Sequence, residues 1–400
     1  MSNSKDLILV ETNPEIFIEK QIKLIKDIVN SRRVVAAVSG GVDSAVAAYL
    51  SWLSVPDNLD VIFLDTGFMR ENESSEVKSL FASMGIDIDI VNAKERFYEK
   101  TLGLSDAEKK RIAYREVFYD VLADEVRKRK ATFLVQGTIA PDWIETLGGI
   151  KTQHNVLYQI GLKPEERYGY IVLEPLANLY KSQVRFLAKF LGLPEKLIKR
   201  QPFPGPGLLI RCVGVCDLEK LEVTRLVTNI VENNLRDHGF SQFFAVTLSK
   251  AEEVKGTESN HYINRIINFN NEFNGIKLFT FPEKSTGVKG DSRVYGDIYA
   301  VSHDNIDLVI ENRSLLVSEL MSIIPSASRL IAKISDGSSM GKYSVVIRAV
   351  ITEDFMTADV PVISANELIR MSEEIIKKDS RITGIYYDLT SKPPATIEYE

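Results

Sequence analysis

Five short apolar runs constrain the fold most. Val34–Val38, Val61–Asp65, Ile88–Asn92, Phe133–Gln136 and Ile171–Glu174 are rich in β-branched residues, and segments long enough to hold helices separate them. Strands joined through helices pair in parallel, and a parallel sheet is covered by helices on both faces. The alternation predicts an α/β fold, a doubly wound parallel sheet of about five strands. Ahead of it, Asn13 and Pro14 offer a cap and a proline at the first helical position. Ile18, Ile22, Ile25 and Val29 follow at three- and four-residue spacing, which predicts an amphipathic N-terminal helix. Pro202-Phe203-Pro204-Gly205-Pro206-Gly207 forbids regular helix and central strand. The first domain is therefore expected to span residues 1–203.

Beyond it the pattern changes. Long helical stretches mix with strand-like runs at Asp297–Val301, Ser344–Ile351, Gly384–Leu389 and Thr396–Tyr399. Ser364 and Glu367 form a capping box for a helix to about Lys378. Residues 204–400 are expected to form a smaller α+β domain. No internal repeat or low-complexity tract is evident.

Composition narrows the function classes. The 400 residues are 44% hydrophobic and 26% charged, an ordinary globular balance with room for two or three domains. Forty-nine basic residues against 55 acidic ones leave a net charge of -6 with no block of like charges, which argues against a general nucleic-acid binder. No apolar run approaches the ~18 residues that span a bilayer. The polar start, Met1-Ser-Asn-Ser-Lys, is not a signal peptide. Cys212 and Cys216 support neither a disulfide framework nor, on their own, a four-ligand zinc site. A cytoplasmic protein that binds neither nucleic acid nor membrane is expected.

The first apolar run ends in Ser39-Gly40-Gly41-Val42-Asp43-Ser44. In an open parallel sheet, ligands bind beyond the carboxyl ends of the strands. N–H groups freed at a helix start, glycines that admit a ligand closely, and the hydroxyls of Ser39 and Ser44 together make an anion cradle suited to a phosphate chain. The lysine of a Walker A loop is missing, which weakens a kinase or ATPase reading. A plain strand-to-helix turn capped by Asp43 is the alternative.

The whole string resembles the PP-loop of ATP pyrophosphatases, which cleave ATP between the α- and β-phosphates, pass AMP to a substrate oxygen and release pyrophosphate. That superfamily includes NAD synthetase, asparagine synthetase, argininosuccinate synthetase, tRNA thiolases and GMP synthetase. Gln201-Pro-Phe-Pro-Gly-Pro-Gly207, Gly287-Val-Lys-Gly-Asp-Ser-Arg293, Phe355-Met-Thr357 and Ser391-Lys-Pro-Pro-Ala-Thr-Ile-Glu-Tyr-Glu400 resemble the synthetase portion of GMP synthetase, in that family's order. The resemblance runs from about Val34 to Glu400. It implies a PP-loop domain followed by a dimerisation domain, and conversion of xanthosine monophosphate (XMP), ATP and ammonia to GMP, AMP and pyrophosphate, with magnesium as cofactor. An NAD synthetase-like or tRNA-thiolating PP-loop enzyme and a non-enzymatic adenine-nucleotide sensor are the alternatives. A thiolase would want catalytic cysteines and a basic face. A sensor would leave the proline-glycine stretch and the terminal tail unexplained.

The chemistry accounts for the residue types. A lactam oxygen at purine C2 is a poor leaving group, and adenylation lets it depart as AMP when ammonia attacks. Stabilising the departing pyrophosphate is the chief electrostatic task, suited to PP-loop donors and magnesium. The resemblance places ATP on Ser39, Gly40, Gly41, Val42, Asp43 and Ser44, on Asp65, Arg70 and Asn72, and on Gln136, Gly137 and Thr138. Asp43 is the candidate near magnesium, with helix capping an equal alternative. Asp142, Glu145, Lys151, Thr152, His154 and Asn155 resemble the family's lid. Among them Asp142, Glu145, Lys151 and His154 join Asp43 as catalytic candidates, and Thr152 and Asn155 are candidates for XMP. Gln153 stands where the family usually has a histidine, and glutamine cannot transfer a proton near neutral pH. XMP is placed against the rigid wall of Pro204 and Gly205 and on Lys392, Thr396, Ile397 and Glu398 of the tail. Lys289, Asp291 and Arg293 are a second phosphate-site candidate.

Val246–Lys277 and Asp304–Gly341 are longer than the compact bacterial pattern and resemble an expanded dimerisation region, so a homodimer is expected. The residues ahead of Val34 read as one helix, and neither cysteine sits in a glycine-flanked nucleophile turn. Ammonia is therefore expected to come free or from a separate glutaminase subunit.

Overall fold

The computed structural model describes residues 10–11, 13–140, 164–290, 292–353 and 355–400. The chain divides into two compact units, Met1–Thr101 with Arg111–Pro206, and Leu102–Lys110 with Gly207–Glu400. No sequence signal marks Leu102–Lys110 as part of the second unit. Among the described residues, no helix is long and apolar enough to cross a membrane.

The first unit holds strands β1 (Val34–Val38), β2 (Leu59–Asp65), β3 (Asp89–Asn92), β4 (Phe133–Val135) and β5 (Ile171–Leu173). All pair in parallel, in the order β3-β2-β1-β4-β5. Val34, Val35 and Ala36 are consecutive and all buried, so both faces of β1 are covered, which is why these strands read as continuous apolar runs. On one face Val34, Ala36, Phe63 and Val135 pack with Phe17, Ile25 and Val29 of α1 (Pro14–Val29) and with Ala45, Val46 and Leu50 of α2 (Val42–Ser54). Val35, Ile62, Leu64 and Leu134 are buried on the opposite face. The first unit also holds α3 (Glu73–Ala82), α4 (Lys94–Thr101), the part from Arg111 onward of α5 (Ala107–Lys128), and α6 (Lys181–Phe190). Asn13 is the cap residue and Pro14 opens α1, as expected, but the Asn13 side chain makes no capping hydrogen bond.

The second unit is built on a seven-stranded mixed sheet. Its strands are β6 (Gln242–Ser249), β7 (Glu252–Glu253), β8 (Lys277–Lys289), β9 (Ser292–Ser302), β10 (Ala327–Asp336), β11 (Tyr343–Val350) and β12 (Ile382–Asp388). They lie in the order β6-β11-β12-β10-β9-β8-β7. Alternate residues serve different cores, as the two-residue period of a strand requires. Ala245, Val345 and Ile385 face a core built with α7 (Leu218–Leu235), α8 (Thr257–Phe269), α9 (Ile306–Glu311), α10 (Arg313–Ile323) and α11 (Ala365–Lys378). Val246, Val346 and Tyr386 face a second core that contains Tyr399 of the C-terminal tail. Ser364 caps α11 as expected, its side chain accepting from the Glu367 N–H.

Three segments singled out in the sequence take these forms. Val246–Lys277 and Asp304–Gly341 supply half of β6, the helices α8–α10 and the inner strand β10. Thr396–Tyr399 is not a strand. The carbonyls of Thr396 and Glu398 accept from buried Arg329 at 2.7 Å each, so side chains satisfy backbone that a ladder would otherwise serve.

That anchorage depends on one buried carboxylate. Asp388 lies 2.7 Å from Arg329 and 3.2 Å from Arg348, all three fully buried, and accepts from the Tyr399 hydroxyl at 2.7 Å. Burial opposes its ionisation, but the Arg348 and Arg329 guanidiniums outweigh burial and hold the carboxyl below the usual range. A carboxyl depressed on folding contributes stability above its unfolded value of about 3.9, and that stability is lost as pH falls through the folded value. Asp388→Asn leaves two buried guanidiniums without a counter-ion. It is expected to cost about 3–5 kcal/mol in urea unfolding at neutral pH, with a smaller acid-induced loss than the wild type shows. A change under ~1 kcal/mol would remove Asp388 from this role.

Candidate active site

In the first sheet, the direction of strand addition reverses between β1 and β4, which places a crevice at their carboxyl ends. The turn Ser39–Gly41 lies there. Gly40 has φ +78°, and a Cβ on it would lie 2.4 Å from Arg200 Nη1 and 2.9 Å from Val77 Cγ2, so only glycine fits. Two hydroxyls brace the turn. The Ser39 N–H donates to Ser44 Oγ at 3.1 Å, Ser44 Oγ donates to the Gly41 carbonyl at 3.1 Å, and the two serine oxygens are 3.2 Å apart. The N–H groups of the first turn of α2, starting at Val42, have no intrahelical acceptor and bring the positive end of the helix to the crevice.

Asp43 does not cap this helix. Gly41 is the cap residue, without a side-chain bond, and Asp43 sits in the first turn. Its Oδ2 is 2.5 Å from Lys181 Nζ, while Oδ1 is buried without a hydrogen-bond partner. Lys181, the first residue of α6, was not among the candidates. Its signal was available, since it opens the first helix pattern after β5, at the same sheet edge.

Gln136–Thr138 follows β4 beside the loop. A Cβ on Gly137 would lie 2.5 Å from Ser44 N and 2.7 Å from the Asp43 carbonyl carbon. Its smallness therefore serves first to admit the backbone of α2. The Gln136 N–H donates to the Leu173 carbonyl at 3.0 Å, and Thr138 Oγ1 donates to Glu174 Oε1 at 2.5 Å. Asp65, at the end of β2, organises the next loop, accepting from the Gly67 N–H at 3.0 Å and lying 3.1 Å from Lys94 Nζ. Asn72 takes a left-handed conformation, φ +59°, just ahead of α3. The Arg70 guanidinium lies over the Phe203 ring, 4.2 Å from its centroid. Pro204 and Gly205 follow, half-buried.

The other candidates belong to the second unit. Lys289 and Arg293 stand at the tip of the β8–β9 hairpin, where Val288 pairs with Arg293. Lys289 Nζ donates to the Pro325 carbonyl, and Arg293 lies 3.4 Å from Glu108. Lys392 Nζ donates to the Phe355 carbonyl at 2.5 Å. The tail's side chains are engaged inside their own unit. Glu398 receives a forked pair from buried Arg211, at 2.9 and 3.2 Å, and the Thr396 and Thr286 hydroxyl oxygens are 2.5 Å apart. Among the described residues, no acceptor is bonded to the N–H of Ile397 or Glu398. Asp142, Glu145, Lys151, Thr152, Gln153, His154, Asn155 and Asp291 lie outside the described residues. Cys212 and Cys216 are buried, and Cys212 Sγ lies 3.1 Å from the Thr224 hydroxyl.

Two parts of the chain match known families. Residues 17–224 match the NAD synthase family, and residues 332–399 match the GMP synthase C terminal domain. One subunit of the glutamine-hydrolyzing GMP synthase of Sulfurisphaera tokodaii is 44% identical, over 97% of this chain and 99% of that one. The corresponding subunit of the Saccharolobus solfataricus enzyme is 42% identical over 97% and 100%, and that of the Methanocaldococcus jannaschii enzyme 36% identical over 97% and 99%. With identity above a third sustained along almost the whole of both chains, this chain belongs to that family of glutamine-hydrolyzing GMP synthase subunits.

Proposed function

We propose that the chain makes GMP. The C2 oxygen of XMP attacks the α-phosphorus of ATP and pyrophosphate leaves. Ammonia then attacks C2, the C2–O bond breaks, and AMP departs with that oxygen while the nitrogen sheds a proton. One observation carries the chemistry. A glycine turn braced by two serines presents the start of α2 at the switch point, with Asp43 and Lys181 beside it. Oriented N–H donors and a lysine at this place suit a leaving pyrophosphate. The resemblance extends the ATP assignment to Asp65, Arg70, Gln136, Gly137 and Thr138.

The residues fit a magnesium ion carried in with the nucleotide. Asp43 has one buried oxygen without a partner, and among the described residues no three His, Cys, Asp or Glu side chains gather as a ready-made site. That suits an ion which takes most of its ligands from phosphate and water and only one or two carboxylates from the protein. Asp43 would hold it, and when bound it would neutralise charge on the phosphates. Lys181 holds the Asp43 carboxylate in place, Nζ to Oδ2 at 2.5 Å, and supplies a cation of its own.

For XMP, the reading assigns the base to the wall of Pro204 and Gly205. The phosphate is assigned to Lys392, to the N–H groups of Ile397 and Glu398, and to Lys289 and Arg293. The lid residues Asp142, Glu145, Lys151, Thr152, His154 and Asn155 keep the roles the resemblance suggests, and the active form is read as a homodimer. Glutamine hydrolysis is assigned to a separate glutaminase subunit. The relatives are named as one subunit of a glutamine-hydrolyzing enzyme, and neither Cys212 nor Cys216 is exposed to meet a substrate. The hydrogen bond to Cys212 and burial push the Cys216 thiol up, away from a reactive thiolate.

Asp43→Ala is expected to lower XMP-dependent AMP formation by at least ~100-fold, with the urea midpoint unchanged. Near-normal turnover would sink the assignment. With ammonium as nitrogen source, GMP formation should rise with pH as more free ammonia is present. Glutamine should give no GMP until a glutaminase partner is added. GMP made from glutamine by the purified chain alone would contradict the division of labour.

A further inference from the structure

Glu73 is a buried carboxylate of the first unit that the adenylation chemistry does not use. Glu73 opens α3, and its side chain is 2% exposed. Arg200 reaches it with Nη2 at 2.7 Å from Oε1, and donates at the same time from Nη1 to the Gly40 carbonyl at 3.1 Å. Arg70 lies 3.6 Å from the other oxygen, and its guanidinium is the one stacked over Phe203. A single carboxylate thus gathers three segments. They are the phosphate loop through Gly40, the loop after β2 through Arg70, and the proline-glycine wall, which Arg200 leads into and Phe203 belongs to.

The geometry suits positioning more than stability. Exposed ion pairs contribute little, but this one is buried, and a guanidinium's flat fork holds two acceptors in a fixed relation that a lysine cannot reproduce. In a trans peptide, the N–H of Gly41 points opposite to the Gly40 carbonyl. Tethering that carbonyl to Arg200 therefore fixes the face on which the next donor is presented. A Cβ at Gly40 would meet Arg200, Val77 and Glu73 together, which shows how tightly the junction closes on the turn.

We propose that Glu73 is a positioning residue that holds the ATP-phosphate loop and the XMP wall in one register, through Arg200 and Arg70. A disturbance of the wall is then felt in the use of ATP, and the reverse. The inference rests on the proposed placing of ATP at the loop and XMP at the wall.

The test is steady-state AMP formation with each nucleotide varied in turn, alongside the thermal midpoint of each variant. E73Q keeps the shape and removes the charge, and is expected to raise KM for ATP and for XMP together, each by about tenfold, the loss typical of charged hydrogen bonds. R200K, which keeps a cation without the fork, raises both by a smaller factor. F203L removes the ring beneath Arg70. It is expected to raise KM for ATP about threefold as well as KM for XMP, and to add nothing when combined with E73Q. D60N, in the exposed pair with Arg33, leaves both constants unchanged. A lowered midpoint with both KM values unchanged would mean a merely structural role and overturn the proposal. So would variants that shift KM for one nucleotide only, or an F203L effect on ATP that adds in full to E73Q. If E73Q does not fold, R200K and F203L decide by the same criteria. A wild type that forms no AMP from XMP and ATP overturns the functional reading and this one together. An active wild type with single-substrate variants overturns this one alone.

Discussion

Between β1 and β4 the backbone at Gly137 packs directly on the start of α2, where a Cβ would lie 2.5 Å from Ser44 N. Gly40 holds φ +78° against the side chains of Arg200, Val77 and Glu73, so both positions call for glycine. That double approach fixes where α2 begins, and so where its unpaired N–H groups meet the crevice. Asp43, Ser44 and Lys181 inherit their places from it. A loop of the same composition on a looser frame would bind anions only after ordering itself, at a cost in entropy that this frame has already met.

The two units hold charge differently at two places, the tail anchor and the phosphate loop, although the first also buries Glu73. In the second, Asp388, Arg329 and Arg348 are fully buried, and Arg329 also grips two tail carbonyls. In the first, Lys181 remains 37% exposed and Asp43 keeps one oxygen without a partner. The buried network fixes the path of the tail through the bonds it makes, although Arg329 Nε and Arg348 Nε are buried without a hydrogen-bond partner. A site that must accept and release a phosphate chain needs groups that can exchange partners, and the partly exposed pair of Asp43 and Lys181 fits that need.

How much was legible in the sequence depends on what holds each element. The strands of the first sheet are buried on both faces and separated by helix-length segments, so apolar runs and spacing sufficed. The glycine turn was legible because its residue types are dictated by a close approach. In the second unit the signals mix. Phe243–Val246 in β6 is a short continuous apolar run, which periodicity alone cannot tell from buried helix. In β10, Arg329 breaks the apolar pattern because the sheet buries a charged residue where a hydrophobic one is usual. Thr396–Tyr399 carries strand-like residues, yet side chains distant in sequence satisfy its carbonyls. Glu73 escaped for a related reason, whereas Lys181 stood in view at the sheet edge. A lone charged residue such as Glu73 acquires meaning only from partners brought to it by the fold, here Arg200 from beyond β5.

The central claim is that the C2 oxygen of XMP is activated by transfer of AMP. The most direct test supplies XMP carrying a heavy-oxygen label at C2, with ATP, magnesium and ammonium, and follows the label by mass spectrometry. The account predicts that the label leaves in the phosphate group of AMP, one atom for each GMP formed, with none in pyrophosphate or water. Label recovered in water, or GMP formed with unlabelled AMP, would contradict it.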